Sequence, residues 1–262
     1  MNRESYLLYA DEISSWLHAG RRKLISRVLS WHLPAGPASE REILEVGAGA
    51  GQNVDVLRNF GTVDVMEINP AGLERLRAAE GIRTVFDSGI PEDLPGRWDV
   101  ICACDVIEHI EDDAAAVRWI FDRLKPGGLF FATVPAFPWL MSDHDRALGH
   151  FRRYDAATFD LLLPRHAIRL SGSYFNSYLF PLGVLSRAIW QFSNHWRNAS
   201  AHQKQRIPTG ALTEPLFRSI LLRDVQALTP SSRRKWGMSY YLCAVNGCAA
   251  PDANRIWNSF PC

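Results

Sequence analysis

The chain carries almost no net charge: 29 lysines and arginines stand against 28 aspartates and glutamates, leaving +1 over 262 residues. Bulk charge therefore gives no argument for binding nucleic acid, which rests on neutralising phosphates. An apolar signal core is missing from the opening M-N-R-E-S-Y-L-L-Y, and no clean run of about 18 uncharged apolar residues occurs, so neither secretion nor a spanning helix is expected. Cysteine is sparse and odd in number. Cys102, Cys104, Cys243, Cys248 and Cys262 have no zinc-ribbon spacing, and Cys102 and Cys104 are expected on opposite faces of one strand, poor partners for a bridge. A reducing cytoplasm is the simplest compartment. What is present is a 47% hydrophobic, 22% charged composition that suits a single domain over residues 1–262 with a decorated core.

The organising stretch is residues 42–53, E-I-L-E-V-G-A-G-A-G-Q-N. Ile43 to Val46 is an apolar run too short for a helix, and it ends in glycines at alternate positions, Gly47, Gly49 and Gly51. This is a buried parallel strand feeding a tight turn, and Gln52 to Phe60 then reads as a helix. The crevice at such a strand end holds a nucleotide-like ligand. A dinucleotide fingerprint would place its third glycine where Gln52 stands, which weakens a pyrophosphate-binding reading and with it a nicotinamide-dependent oxidoreductase.

Ahead of this stretch, residues 5–31, within an N-terminal segment 1–34, read as an amphipathic helix. Two roles stand for it: packing over the sheet edge, or closing its aromatic start, Tyr6, Tyr9 and Trp16, over a ligand. Behind it, strand and helix signals alternate. Val63 to Glu67 is a strand; Asn69-Pro70 caps a helix running to about Glu80. Ile82 to Phe86 is a strand ending at Asp87, and Asp99 to Cys104 one followed by Asp105. Ala114 to Leu124 is a helix, Lys125 to Gly128 a turn, and Leu129 to Val134 the fifth strand. Gly47, Glu67, Asp87 and Asp105 thus share one carboxyl edge, where ligands bind in doubly wound sheets. An acid ending the second strand is placed to accept ribose hydroxyls.

The runs I-L-E-V-G-A-G-A-G, V-M-E-I-N, F-D-S-G-I-P-E-D-L-P, D-V-I-C-A-C-D-V-I-E-H-I-E-D and L-K-P-G-G-L-F-F-A-T-V-P resemble the successive motifs of class I S-adenosylmethionine (SAM) methyltransferases, over roughly residues 40–135. The resemblance implies an α/β, Rossmann-like fold: a seven-stranded, mostly parallel sheet with helices on both faces, a sixth strand near Ala167 to Tyr174, and an antiparallel seventh, Ser239 to Val245, beside the fifth. It implies SAM as cofactor and S-adenosylhomocysteine as product. Gly47 and Gly49 are then expected at the methionine moiety, with Glu45 in the cofactor site before them. Glu67 is expected at the ribose with Ile68 beside it, Asp87 at adenine with Ser88 beside it, and Asp105 near the sulfonium. His109 lies in an E-H pair frequent in such enzymes; cap, packing and catalytic roles stay open.

Residues 135–154, P-A-F-P-W-L-M-S-D-H-D-R-A-L-G-H-F-R-R-Y, follow the fifth strand and so hang over the carboxyl edge. Methyl transfer depends on holding the nucleophile near the carbon in a site that excludes water. A hydroxyl acceptor also needs a proton acceptor, for which His144 is the first candidate and His150 the second. Trp139, Arg152, Arg153 and Tyr154 are the candidate acceptor contacts, the arginines suiting a phosphate or carboxylate. A purely structural, salt-linked loop is the competing reading. No metal is expected, because the adjacent residues Asp143, His144 and Asp145 cannot easily converge on one ion. The stretch is similar to a methyltransferase subgroup with V-P-A, W, H-D and G-H-x-R-R-Y in order, often associated with polysaccharide or glycolipid assembly.

The sheet core is expected from 40–174 and 238–247, with 175–237 an insertion forming a lid or acceptor-binding region. Within it, residues 175–192 are apolar, and Pro181 and Gly183 are expected to interrupt any helix there. A buried lid, peripheral contact with the inner face of a membrane and a homodimer face are the readings of this stretch. The sequence reading is a cytoplasmic SAM-dependent methyltransferase acting on a hydroxyl, or else an amine or carbon, of a small-molecule, sugar or lipid-linked acceptor. Its alternatives are a non-catalytic SAM-binding partner of a biosynthetic complex and the nicotinamide-dependent oxidoreductase.

Overall fold

A computed structural model describes residues 16–196 and 213–247, of which 190–196 by backbone only. The expected roles of Tyr6 and Tyr9, part of the 175–237 insertion, Cys248 and Cys262 lie outside the described residues.

The short apolar runs become strands of a sheet covered on both faces at its centre, as parallel strands require, while the edge strand Ile82–Asp87 has no fully buried residue. They are β1 (Glu42–Val46), β2 (Thr62–Glu67), β3 (Ile82–Asp87), β4 (Trp98–Cys104), β5 (Leu124–Pro135), β6 (Ala167–Phe175) and β7 (Ser239–Asn246). They form one seven-stranded sheet in the order β3-β2-β1-β4-β5-β7-β6. β1 to β5 are parallel, and β7 runs antiparallel between β5 and β6. The expected fold class and the place of the inverted strand both hold.

The helices are α1 (Trp16–His32), α2 (Val54–Leu57), α3 (Pro70–Ala78), α4 (Asp113–Arg123), α5 (Asp143–Ala147), α6 (Ala156–Asp160), α7 (Phe180–Trp196) and α8 (Thr213–Gln226). Local chemistry sets their starts. Asn69 accepts from the Ala71 amide at 3.0 Å ahead of α3, with Pro70 at the first helical position, and Asp112 accepts from the Ala115 amide at 2.8 Å ahead of α4. One face of the sheet buries Leu44, Val46, Ile101, Phe130 and Ala132 with α4's Val117, Ile120 and Phe121. The other buries Ile43, Val65, Val100 and Phe131 with Leu24, Ile25 and Val28 of α1 and Leu221 and Val225 of α8. Each of these side chains larger than alanine contributes roughly 1.5–3 kcal/mol by leaving water. α1 and α8 approach closely at Gly20, where a Cβ would stand 2.6 Å from Leu221 Cγ.

Four expectations change. Lys125 to Gly128 is no separate turn: it lies within β5 as a bulge, the pairing with β4 stepping from Trp98–Leu124 to Val100–Leu129. Cys102 and Cys104 pack into the same cluster, because residues two apart on a strand share a face; both are free thiols. The helix after the glycine turn is only Val54–Leu57. Pro181 does not interrupt the apolar stretch: it sits in the first turn of α7, where a missing amide proton costs nothing, and the helix runs on through Gly183. Of the insertion, α8 is a core helix against α1. Among the described residues no helix is long and apolar enough to cross a membrane.

Candidate active site

The glycine turn is built for close approach. Gly47, Gly49 and Gly51 have φ of 64, 60 and 84°, and a Cβ on Gly47 would stand 2.6 Å from Val106 Cγ2. Glu45, fully buried in β1, accepts from Asn53 Nδ2 at 2.7 Å and so closes the turn from within. Burial pushes its carboxyl up to about 7, against the opposing hydrogen bond from Asn53. Its second oxygen, Oε2, has no partner. Glu67 ends β2 with Oε2 on the Gly49 amide at 2.7 Å and Oε1 on the amides of Ile68 and Asn69 at 2.9 and 2.8 Å. A carboxylate has about four acceptor sites, so one remains for a further donor such as a ribose hydroxyl.

Ile68 beside it is 70% exposed, a bare apolar side chain at a polar edge, and lies against Gly89. Asp87 pairs in register with Glu67, and its carboxylate meets Arg77 at 3.0 Å at the surface. Ser88 donates to Glu92 Oε2 at 2.9 Å. Asp105 follows β4 with a left-handed φ of 55°, accepting from Thr133 Oγ1 at 3.0 Å and from Arg21 of α1. The glycine cradle and the orphaned Oε2 of Glu45 fit the methionine end of SAM, and the exposed Ile68 suits the flat face of a base.

Residues 136–154 return to the sheet. The Tyr154 amide donates to the Pro135 carbonyl at 3.0 Å and the Phe137 amide to the Tyr154 carbonyl at 2.9 Å, with Phe137 held at φ 62°. Asp145 is the hub of the loop. Its carboxylate receives Arg153 Nη2 at 2.6 Å, the Ser142 amide at 2.8 Å, Ser142 Oγ at 2.7 Å and Arg187 Nη1 of α7 at 3.0 Å. Burial opposes its charge, yet His150, Arg153 and Arg187 hold the carboxyl well below the usual range. The other expected acceptor contacts also have internal partners. Arg152 meets Asp113 Oδ2 and the Glu111 carbonyl, each at 2.7 Å; Arg153 Nη1 donates to the Ala136 carbonyl at 3.1 Å; the Tyr154 hydroxyl donates to Asp113 at 2.8 Å.

His144 lies in the first turn of α5, half-buried, its pKa lowered by burial and by Arg187 against the pull of Asp145, so it is neutral at neutral pH. His150 lies elsewhere, with His109: their rings are perpendicular, centroids 4.6 Å apart. Burial and His150 lower the His109 pKa. Trp139 is 59% exposed and flanks Phe137 at 5.6 Å; Phe180 and Trp236 complete an aromatic wall, 6.2 Å apart. Sequence reasoning missed Arg21, Phe180 and Trp236. Arg21 had a signal in its helical position facing the sheet; Trp236 had none, since only the fold sets the residues before β7 beside the loop after β5.

A family model described as a methyltransferase domain matches residues 16–177. Among curated proteins, the ubiquinone biosynthesis O-methyltransferase of Pseudomonas fluorescens (strain SBW25) is 27% identical over 107 residues, 37% of this chain and 46% of that protein. The one of Methylobacterium nodulans is 32% identical over 107 residues, 37% and 41% of the two chains. The chain thus spans less than half the length of these relatives. Among solved structures, the plantazolicin methyltransferase in complex with S-adenosylhomocysteine superposes with a TM-score of 0.59 at 9% identity, over 93% of this chain and 89% of that one. A chain of the Haloferax volcanii complex between the Trm112 methyltransferase activator and a methyltransferase gives 0.59 at 14% identity, over 94% and 96%. At such identities the likeness is one of fold. The matched model, together with the glycine turn and acid-lined strand ends of a sheet with an inverted seventh strand, places this chain in the methyltransferase-domain family, among its class I, SAM-dependent members.

Proposed function

We propose that the protein transfers a methyl group from SAM to a hydroxyl of an acceptor with an apolar portion, a small molecule, sugar or lipid-linked precursor in a biosynthetic pathway. The observation that carries this reading is the aromatic wall. Phe137 follows β5 and Asp105 follows β4, adjacent strands, so Trp139, Phe180 and Trp236 stand beside the cofactor edge. Aromatic faces take rings and prenyl chains and exclude water from the reacting centre.

SAM supplies an electrophilic methyl carbon on a sulfonium. Around it, this chain's residues bind and orient. Glu67 takes a ribose hydroxyl; Glu45 Oε2 and the Gly47 turn receive the amino-acid end; Arg21, a guanidinium at the same edge, suits the cofactor's carboxylate. His144, neutral at neutral pH, is retained as a proton acceptor. The relatives named as ubiquinone biosynthesis O-methyltransferases support oxygen as the atom methylated. The exposed face Leu182, Leu185 and Ile189 of α7, one and two turns apart, supports a lipid-linked acceptor met at a membrane surface.

The test is methyl-labelled SAM with the full chain and acceptor panels of phenols, sugars and polyprenyl-linked alcohols. Label on a hydroxyl is expected, with Trp139→Ala raising KM for the acceptor several-fold while leaving the melting temperature within about 2 °C, as its side chain is exposed. SAM binding without transfer to any panel favours the non-catalytic SAM-binding reading. Label found only on amines overturns the choice of oxygen.

A further inference from the structure

Glu108 is fully buried, and neither carboxylate oxygen has a hydrogen-bond partner. Such a group is expensive: an uncompensated buried polar atom costs about 1–3 kcal/mol, and an unpaired charge more. Burial and the neighbouring Asp105 drive its pKa well above the usual range. Protonation alone would remove the charge but leave a hydroxyl and a carbonyl still unpartnered. Beside it stand two imidazoles. The Phe151 amide donates to the Glu108 carbonyl at 2.8 Å, and this tie brings His150 alongside His109. One donor atom from each of Glu108, His109 and His150 lies within 4.8 Å of the others, the one such grouping among the described residues.

We propose that Glu108, His109 and His150 bind a single divalent transition-metal ion of the zinc type next to Asp105. Two imidazoles and one carboxylate are a donor set for Zn²⁺, Fe²⁺ or Co²⁺ rather than for Mg²⁺ or Ca²⁺, which take oxygen. Groups of the kind that orient metal-bound histidines stand nearby. His109 turns its Nδ1 towards the Gly149 backbone. His150 Nδ1 stands 3.4 Å from Asp145 Oδ1 without a hydrogen bond, and Asp145 is itself fixed by Arg153 and Arg187. The nearby cations do not oppose an ion, since Arg21 is paired with Asp105 and Arg153 with Asp145. The D-H-D run takes no part as a set: Asp143 pairs with Arg146 at the surface and Asp145 with its arginines. Three protein ligands leave an open position, and on the methyl-transfer reading this is where the acceptor hydroxyl binds and becomes more acidic.

The experiment needs no acceptor. The chelator-stripped full chain is titrated with Zn²⁺ against a chromophoric chelator, and separately with Co²⁺ followed by its visible absorption, alongside Glu108→Gln and His150→Ala. Uptake of one equivalent, weakened at least tenfold in both variants while their SAM affinity stays unchanged, is the expected result. No uptake by the unsubstituted chain, or equal uptake by variants that bind SAM normally, overturns the proposal. Should the variants fail to fold, the cobalt spectrum of the unsubstituted chain decides: imidazole-coordinated bands support the site, and a spectrum of hydrated cobalt alone removes it. SAM binding by the same samples reports separately on the methyltransferase reading.

Discussion

Glu45→Gln separates a charge from a shape at the base of the cofactor turn. In the folded chain the Glu45 carboxyl titrates at about 7, raised from 4.5 chiefly by burial. The unfolded chain gives up this proton near its ordinary value, so between the two pKa values the folded state holds more protons. Stability therefore falls as pH rises across that window and is level above it. At about 1.4 kcal/mol per unit the loss amounts to roughly 3 kcal/mol. Glutamine keeps an oxygen for Asn53 Nδ2, stays neutral throughout, and should abolish this limb. Urea denaturation of both proteins from about pH 5 to about pH 8 measures it. Parallel stability profiles would refute the reasoning. A second arm addresses the orphaned Oε2. If that oxygen receives the cofactor's ammonium group, binding favours the ionised carboxyl and releases a proton below pH 7. Calorimetric heats of SAM binding at about pH 6 should then differ between buffers of different ionisation enthalpy, and cease to differ in Glu45→Gln. Equal heats in the wild type would remove Glu45 from the cofactor site.

Two further outcomes follow from single residues. His18, buried in α1 with Nδ1 unpartnered, is pushed down to about 3 by burial and then by Arg21 and Arg22, so the stability it permits is full above about 6.5 and is lost as pH falls towards 3. His18→Leu should flatten that acid limb in denaturation at graded pH; an unchanged slope contradicts it. Gly47→Ala should cost roughly 2–4 kcal/mol, from the left-handed φ and the approach to Val106, and weaken SAM binding in the same sample. Adding Val106→Ala should recover the steric share only; full recovery would show that φ was never strained.

The carboxyl edge was legible because its signals are local. An apolar run that stops at Gly47, Glu67, Asp87 or Asp105 announces both a buried strand and its ligand-facing end within a few residues. Most strand and helix limits were readable to one or two positions; the exceptions are the single turn of α2 and the start of β5, which lies at Leu124 rather than Leu129. The acceptor side was harder. Arg152, Arg153 and Tyr154 read as free recognition groups, yet Asp113 and Asp145 engage them, pairings that depend on the path of the loop. Arg21 reaches Asp105 across 84 positions, and Glu108 meets His150 only because the Phe151 amide is tied back to its carbonyl. Such contacts leave no periodicity behind them. The two cysteines on β4 are a different case, since strand alternation already sets residues two apart on one face.

The inverted strand has a consequence for how the chain is made. β7 lies between β5 and β6 but is synthesised after both, with α7 and α8 between. As residues emerge in order, the Leu129 to Pro135 edge of β5 waits for its partner Ser239 to Val245 for roughly 5 to 20 s at ordinary elongation rates. During that interval a long apolar edge stands open in a nascent chain whose cofactor half already has all of its strands. The strands that carry the glycine turn and the acid-lined edge are thus complete well before the strand that joins β6 to the rest of the sheet.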